Sequence, residues 1–502
     1  MKLSRRTAGI LVVLLGCADV GLAQEIRRAL PLSEPPVPRA LPPEEGEPSA
    51  EEKPSTSEQP SDTRQLEYAN ALFARKMYDL AIPEYEKYLR DYPDAPGRGN
   101  AYFGLGESYR VLGKISSART NFQKVLENFG EGEFAGPAAY ALAVLAFSQK
   151  DFTAAQPLFH KAAAKSKDAS VALSAKYFEA RCLESTKRTD DALMLYLQVA
   201  DAKSQYREDA RATAGAMLLA RGSRAEALKQ FEALSNEAEK PATRSEAAVR
   251  AGLIALDLAV ADRGNSAMAE KARALLQKGR SDSGKWKGIA QAGLLRLEYQ
   301  TGQFNQVVAD YKKSAEQLPD EARPETMLLV ANAQRQLGHT QEAETLYREI
   351  IEKFPNREEA KDARYQRLIN VYNSDPNAVI AEVDDFLKTN PTNERGDQAR
   401  LLKAEALYKE QKFAEAAPVY GQLRASELTP KLRAEAAYKL GWCGMQMKDW
   451  AQAIEAFSYF IKTFPDDAQM PIALTQRALA YQPPASLTAE GRRPHFGGRT
   501  GP

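Results

Sequence analysis

Cysteine and histidine are almost missing from these 502 residues: three of each, Cys17, Cys182 and Cys443, and His160, His339 and His495. The cysteines are too few for a disulfide framework and too far apart for zinc-ligand spacing. So short a supply of histidine leaves little room for a metal centre or for histidine-based catalysis, and no cofactor is expected. A surplus of charge is missing too. With 68 Lys plus Arg against 67 Asp plus Glu the net charge is +1, so no overall field gathers nucleic acid or an anionic membrane. Past residue 65 no stretch alternates apolar and polar residues with period two, which excludes ordinary strands.

Ala, Leu, Glu, Lys, Gln and Arg dominate, and the remaining apolar residues recur at helical spacing, so the chain reads as all-α. One stretch hints at nucleotide chemistry, Gly104-Leu105-Gly106. A phosphate loop needs a third glycine and a buried strand in front of it, and no β-branched run precedes Gly104. Paired carboxylates such as Asp384-Asp385 read as a solvated helix face.

The N-terminus carries an export signal. Lys2, Arg5 and Arg6 precede an apolar run from Ile10 to Leu15, about half the length of a membrane span, and small residues follow to Ala23. Two cleavage readings compete. Gly21-Leu22-Ala23 fits general signal peptidase, which is preferred; Leu14-Leu15-Gly16-Cys17 resembles a lipobox, in which Cys17 is the lipidation site and the route to outer-membrane attachment. In either case the protein is expected in the periplasm or outside the cell. From 24 to 62 the chain holds nine of its 28 prolines and almost no aromatics; it buries too little apolar surface to offset its ordering entropy and reads as a disordered tether.

The rest repeats. Small residues at Ala81, Ala118, Ala155, Ala192, Ala227, Ala272, Val307, Ala343, Val379, Ala416 and Ala453 are spaced 35 to 37 apart, except for a gap of 45 before Ala272. Four residues after each of these anchors, nine of the eleven positions are aromatic, from Tyr85 and Phe122 to Tyr420 and Phe457. Twelve residues before the anchor stands a small residue in eight units, Gly106 among them, and prolines such as Pro93, Pro355 and Pro465 follow twelve residues after. Periods of this size mark stacked helical hairpins. The 45-residue gap is read as an insertion, with Asp262-Arg263-Gly264-Asn265-Ser266 as its loop.

On these residues, and most completely on Tyr102, Leu105, Gly106, Tyr109, Ala118 and Phe122, the chain resembles the tetratricopeptide repeat family over about residues 62 to 482. The resemblance implies an all-α solenoid, a right-handed superhelix of about eleven hairpins closed by a capping helix near Met470 to Tyr481. The expected organisation is a signal segment 1–23, the tether 24–62, an N-terminal array 63–261, a C-terminal array 262–482 and a disordered tail 483–502. In the family the first helices line a concave face where partners bind. Residues fifteen, eleven and eight before the anchors share that face, and among them Phe103, Tyr140, Phe147 and Tyr177, with Tyr438 and Trp442 near the end, are the candidate partner-binding side chains. The family's Lys, Asn and Arg clamp for a peptide carboxylate is not carried over, because only Asn70 and Arg110 fit it.

Aromatics three before the anchor, such as Tyr78, Phe152 and Trp450, are expected to staple neighbouring units. The functional expectation is a non-enzymatic scaffold for other envelope proteins. The endings Tyr92-Pro93, Phe354-Pro355 and Phe464-Pro465 resemble periplasmic and outer-membrane lipoprotein members, which assist outer-membrane protein assembly or coordinate constriction with division. An accessory subunit of a secretion or polysaccharide-export machine is the alternative. An enzyme with a helical adaptor has no segment left to house its catalytic module.

Overall fold

The computed structural model describes residues 61–481 apart from 263–264, 282–283, 390–393 and 427. The expected signal segment, Cys17, the tether up to 60 and the tail from 483 lie outside the described residues. The chain falls into two units, residues 1–297 and 298–502, and each is described by itself.

Among the described residues every regular element is helical. The first unit holds Ser61–Ala74 (α1), Tyr78–Asp91 (α2), Arg98–Val111 (α3), Ile115–Asn128 (α4), Ala135–Ser148 (α5), Phe152–Lys165 (α6), Ala169–Ser185 (α7), Thr189–Asp201 (α8), Arg207–Ala220 (α9), Arg224–Glu237 (α10), Pro241–Ala261 (α11) and Ser266–Gly279 (α12). Lys285–Gln300 (α13) follows. The second unit continues with Phe304–Ser314 (α14), Arg323–Gln336 (α15), Thr340–Lys353 (α16), Glu358–Ser374 (α17), Pro376–Thr389 (α18), Glu394–Lys409 (α19), Phe413–Gln422 (α20), Pro430–Met447 (α21), Trp450–Thr463 (α22) and Met470–Tyr481 (α23). Within each unit a helix packs chiefly on its neighbours in sequence, which is how a solenoid is built.

Isolated helices of about fourteen residues are marginal in water, so the packing between them supplies the stability. All eleven anchors are 0% exposed. The ring four residues on seats against the small residue of the partner helix. A Cβ on Gly106 would lie 2.5 Å from Phe122, and one on Gly441 would lie 2.6 Å from Phe457. Gly104 serves the hairpin before it, since its Cβ would lie 2.4 Å from Tyr85. Gly104 and Gly106 sit in the middle of α3 as seats for two rings.

Each hairpin turn has its own cause. Five residues before nine of the anchors the backbone is left-handed: at Gly113, Gly222, Gly302 and Gly338, and also at Lys76, Lys150, Lys187, Gln411 and Lys448. The amide after each of these residues reaches back five positions, as from Lys114 to the Tyr109 carbonyl at 2.8 Å and from Asp151 to Ala146 at 3.0 Å. This bond is the signature of a Schellman C-cap. A lysine in that conformation is strained, whereas glycine is not. Lys150→Gly is therefore expected to stabilise the chain by about 0.5–1 kcal/mol, the strain relieved less the chain entropy that glycine adds. Chemical unfolding reads this as a higher urea midpoint; an unchanged or lower midpoint would count against the turn assignment.

Second helices end where sequence reading placed their ends. Tyr92, Phe354 and Phe464 precede prolines, and their φ values of −127°, −130° and −129° are those a pre-proline residue prefers.

The long gap is where the structure corrects the reading. Only four residues, 262 to 265, separate α11 from α12, one more than the three between α3 and α4. The rest of the insertion is helix: α11 has 21 residues where α3 has 14, two extra turns. The seat moves accordingly to Gly252, whose Cβ would lie 2.7 Å from Leu276, the residue four past Ala272.

The aromatics three before the anchor have a role within their own hairpin that the spacing did not show. They open the second helix and meet the last turn of their own first helix edge to face: Tyr78 on Phe73 at 5.4 Å, Phe152 on Phe147 at 5.4 Å and Phe413 on Tyr408 at 5.3 Å. Each clasps the turn of its own hairpin, and Phe413 also lines a cleft shared with Gln446 of the next.

Candidate functional site

Among the expected partner-binding side chains, Phe103, Tyr140, Phe147 and Tyr177 are interior, at 6%, 2%, 2% and 6% exposure. Phe103 lies 5.2 Å from Phe134 and Tyr140 lies 5.6 Å from Phe159. Phe147 lies 5.4 Å from Phe178, and Tyr177 stacks on Tyr206 at 4.4 Å. The expected groove of free rings is corrected here: large apolar rings on one helical face are drawn into contact with rings of their own and the next hairpin. Tyr438 and Trp442 stay half-buried, packed beside Phe457 at 6.0 and 6.4 Å.

The polar residues of the same face are largely engaged internally. The Tyr85 hydroxyl donates to Asn70 Oδ1, Tyr347 to Asn332 and Tyr420 to Glu405, each at 2.7 Å and each fifteen residues apart. Where the ring is Phe159, Phe231 or Phe457, the equivalent position holds Val144, Ala216 or Trp442, none of which could accept that bond. Asn70 thus serves Tyr85, and Arg110 donates to Glu107 from Nη2 at 2.7 Å.

A cleft of about 590 Å³ is open in the second unit, lined by Tyr372, Glu405, Tyr408, Lys409, Gln411, Phe413 and Gln446. Tyr372 comes from the last turn of α17, Glu405, Tyr408 and Lys409 from α19, Gln411 from the turn, Phe413 from α20 and Gln446 from α21. Glu405 accepts from Tyr420 and also binds Lys439. Burial disfavours the Lys439 ammonium, yet the hydrogen bond and charge of Glu405, with Glu435 behind it, hold its pKa above the usual lysine value. Burial, then Glu405, pushes the Tyr420 hydroxyl far up.

Lys439 stands 5.8 Å over the Tyr408 ring and Lys409 stands 5.7 Å over Tyr372. Such cation–π contacts hold the lysine stems flat along the rings. The wall therefore offers a partner the ring edges of Tyr372 and Tyr408, the ammonium of Lys409 and the amides of Gln411 and Gln446. Glu405 and Tyr408 belong to the face that sequence spacing marks out. Tyr372 and Lys409, seven residues before their anchors, do not, because the three-position stripe was drawn one residue too narrow.

Both described cysteines are free and buried. Burial, with Glu179 next, pushes the Cys182 thiol up to about 12; burial, with Glu405 next, does the same to Cys443. Thiols held protonated in this way are inert. His160 is exposed and meets Glu179 at 3.1 Å, and His339 meets Gln334 at 2.8 Å in its turn. Among the described residues no group of His, Cys, Asp and Glu is placed to hold a metal ion, and no helix is long and apolar enough to cross a membrane.

Residues 103–169, 140–208 and 401–468 match one description of the tetratricopeptide repeat, and residues 325–357 match another. No curated protein matches the chain in sequence. Solved structures to which the chain is similar include the Naa15/Naa10 complex bound to HypK-THB, at 14% identity over 83% of this chain and 66% of that one, with a TM-score of 0.40. Yeast Tom70 is 16% identical over 84% of this chain and 96% of that one, with a TM-score of 0.30. The C-terminal part of a repeat-containing protein from Cytophaga hutchinsonii is 18% identical over 51% of this chain and 97% of that one, with a TM-score of 0.38. With the repeat matched in both units and built from helical hairpins throughout the described residues, the chain is an all-α solenoid of tetratricopeptide repeats, the architecture of a protein–protein interaction scaffold.

Proposed function

We propose that this chain is a non-enzymatic scaffold of the bacterial cell envelope that acts outside the cytoplasm and holds other envelope proteins on its first-helix face. One observation carries the binding part: the cleft lined by Tyr372, Tyr408, Lys409 and Gln446 is open on that face, while the polar groups behind it are satisfied by one another. A surface of this kind recognises a polypeptide segment through ring edges, amides and one cation. Burial holds the Tyr372 and Tyr408 hydroxyls above the ordinary tyrosine value, so neither is poised for proton transfer at neutral pH. The envelope part rests on the N-terminal residues: Lys2, Arg5 and Arg6, the apolar run after them and the tether to 62. Outer-membrane protein assembly and the coordination of constriction with division are the roles to which the subfamily resemblance points. Attachment through Cys17 and release after Ala23 remain the two forms of the mature chain.

A photo-crosslinking residue at Tyr408, activated in intact envelopes and followed by mass spectrometry, tests the reading. It should capture a defined envelope protein, and capture should be lost when Tyr372→Ala and Lys409→Ala are added, with thermal stability kept. Recovery of the chain from the cytoplasm with Met1 intact would overturn the envelope reading. Capture that ignores both changes would overturn the cleft. Mass analysis of the mature N-terminus separates acylation at Cys17 from cleavage after Ala23.

A further inference from the structure

We propose that Tyr102, with Arg98 and Lys124 set on its ring, is a receptor for the carboxylates of an acidic segment of a partner protein. The Arg98 guanidinium stands 5.8 Å from the ring centroid and the Lys124 ammonium stands 5.1 Å from it. Arg98 opens α3 one turn before Tyr102, and Lys124 comes from α4. Phe129, just past α4, backs the ring at 6.1 Å. All three side chains of the site are half-buried. The site lies off the first-helix face, since Tyr102 stands sixteen residues before Ala118 and Lys124 six after it.

What marks the place is a missing counter-charge. At three other rings the cation has its own carboxylate: Arg395 over Tyr365 pairs with Asp362, Arg424 over Tyr459 with Glu455, and Lys439 over Tyr408 with Glu405. Where Lys114 stands over Tyr109, the ring's own hydroxyl donates to Glu86 at 2.8 Å. Lys409 over Tyr372 lacks a carboxylate but is exposed and alone on its ring. Tyr102 carries two cations, and among the described residues neither forms an ion pair. Asp62 and Arg98 both act on the Tyr88 hydroxyl, with opposite signs, without pairing with each other. Exposed lysines leave their charge to water, whereas two like charges held half-buried over one ring repel and are partly desolvated. An anion brought to them relieves both effects.

The Tyr102 hydroxyl supplies a third contact. It accepts from Arg98 Nη2 at 3.4 Å, so its own proton is left to donate. The site therefore presents donors only, from guanidinium, ammonium and phenol, and charge-assisted hydrogen bonds from such groups to a carboxylate are the strong ones. Two cations on one hairpin are too few for a lipid surface or a nucleic acid, and a net charge of +1 gathers neither. The ring between the cations adds an apolar wall that suits the methylenes of a glutamate and gives nothing to a bare phosphate.

Fluorescence anisotropy of a labelled hexaglutamate peptide titrated with the full chain tests this. Binding should appear at low salt and fade towards about 0.5 M salt, as an ion-paired site requires, and hexaglutamine should not bind. Arg98→Gln together with Lys124→Gln should weaken binding by about tenfold or more, and Tyr102→Phe, which keeps the ring and removes the phenol, by about three- to fivefold. Lys229→Gln, at an exposed lysine of α10, should leave it unchanged. Lys124→Glu brings the counter-charge from within the chain: it should abolish binding and raise the thermal midpoint, because Arg98 gains a partner. Hexaglutamate that does not bind, or that binds the Arg98 and Lys124 double variant equally well, overturns the proposal, as does a lower midpoint for Lys124→Glu. Phosphatidylglycerol vesicles or inorganic phosphate that bind in place of hexaglutamate, and are lost with the same two cations, assign the site to a phosphate group and overturn it equally.

Discussion

Phe159→Ala is expected to cost about 3–5 kcal/mol, the range for deleting a buried aromatic ring whose surroundings relax only in part. Phe159 is 0% exposed and lies at the centre of a ring cluster, 5.6 Å from Tyr140, 6.1 Å from Phe147 and 5.6 Å from Phe178. Phe178 belongs to α7, so the cavity would open both the α5–α6 hairpin and its packing on the next unit. In a solenoid each unit is held only by its neighbours. The loss should therefore show as an early unfolding step in urea, and in hydrogen exchange as faster exchange of residues 135 to 185. Uniform exchange across the chain, or a midpoint equal to that of the unaltered protein, would refute the ring as the keystone of this hairpin pair.

Gly136→Val should destabilise by roughly 3 kcal/mol, and it does so by a different route. A Cβ on Gly136 would lie 2.7 Å from both the Cα and the amide nitrogen of Ser166 and 2.9 Å from the Lys165 carbonyl carbon. Those are backbone atoms at the end of α6, and they cannot step aside as a flexible side chain could. Helix propensity alone predicts the opposite sign, since glycine inside a helix costs about 1 kcal/mol relative to alanine. Gly421 supplies the comparison: it lies in α20 with nothing within 4 Å of an added Cβ. Gly421→Ala should raise the midpoint, and Gly136→Ala should lower it. Two shifts of the same sign in thermal melts would show that backbone approach at Gly136 does not decide its stability.

The eleven anchors, their rings and the eight small seats were legible in the sequence because each is set by spacing along one helix or between two helices of a hairpin. Short turns leave little freedom for that spacing to drift. The ends of the second helices before Pro93, Pro355 and Pro465 were legible for the same local reason, a proline after Tyr92, Phe354 and Phe464. The tyrosine hydroxyl bonds could also have been read. An asparagine or glutamate stands fifteen residues before Tyr85, Tyr347 and Tyr420, and Val144, Ala216 or Trp442 before Phe159, Phe231 and Phe457, but Glu107 before Phe122 and Arg181 and Arg296 before Tyr196 and Tyr311 break the pattern, so it marks three of the five tyrosines.

The binding face was not legible in the same way. Spacing shows that Phe103, Tyr140 and Tyr177 share a face. It does not show whether that face is covered, because the cover comes from the adjacent hairpin and depends on how closely the two helices approach. The left-handed turns at Lys76, Lys150, Lys187, Gln411 and Lys448 left no trace either: lysine and glutamine do not announce that conformation, and only the closure of the hairpin imposes it. Likewise the insertion before Ala272 looked like a loop around Gly264. The helix-forming run ahead of it instead added two turns to α11, which kept a small seat in phase at Gly252 for Leu276.

The sequence by itself determined the helical period, the hairpin register and the inward or outward sense of each anchor and ring, since these follow from periodicity and local stereochemistry. Only the tertiary structure decided which aromatic side chains are core and which line the cleft at Tyr372 and Tyr408. Burial is a property of neighbours, and neighbours forty residues away are set by packing and not by spacing.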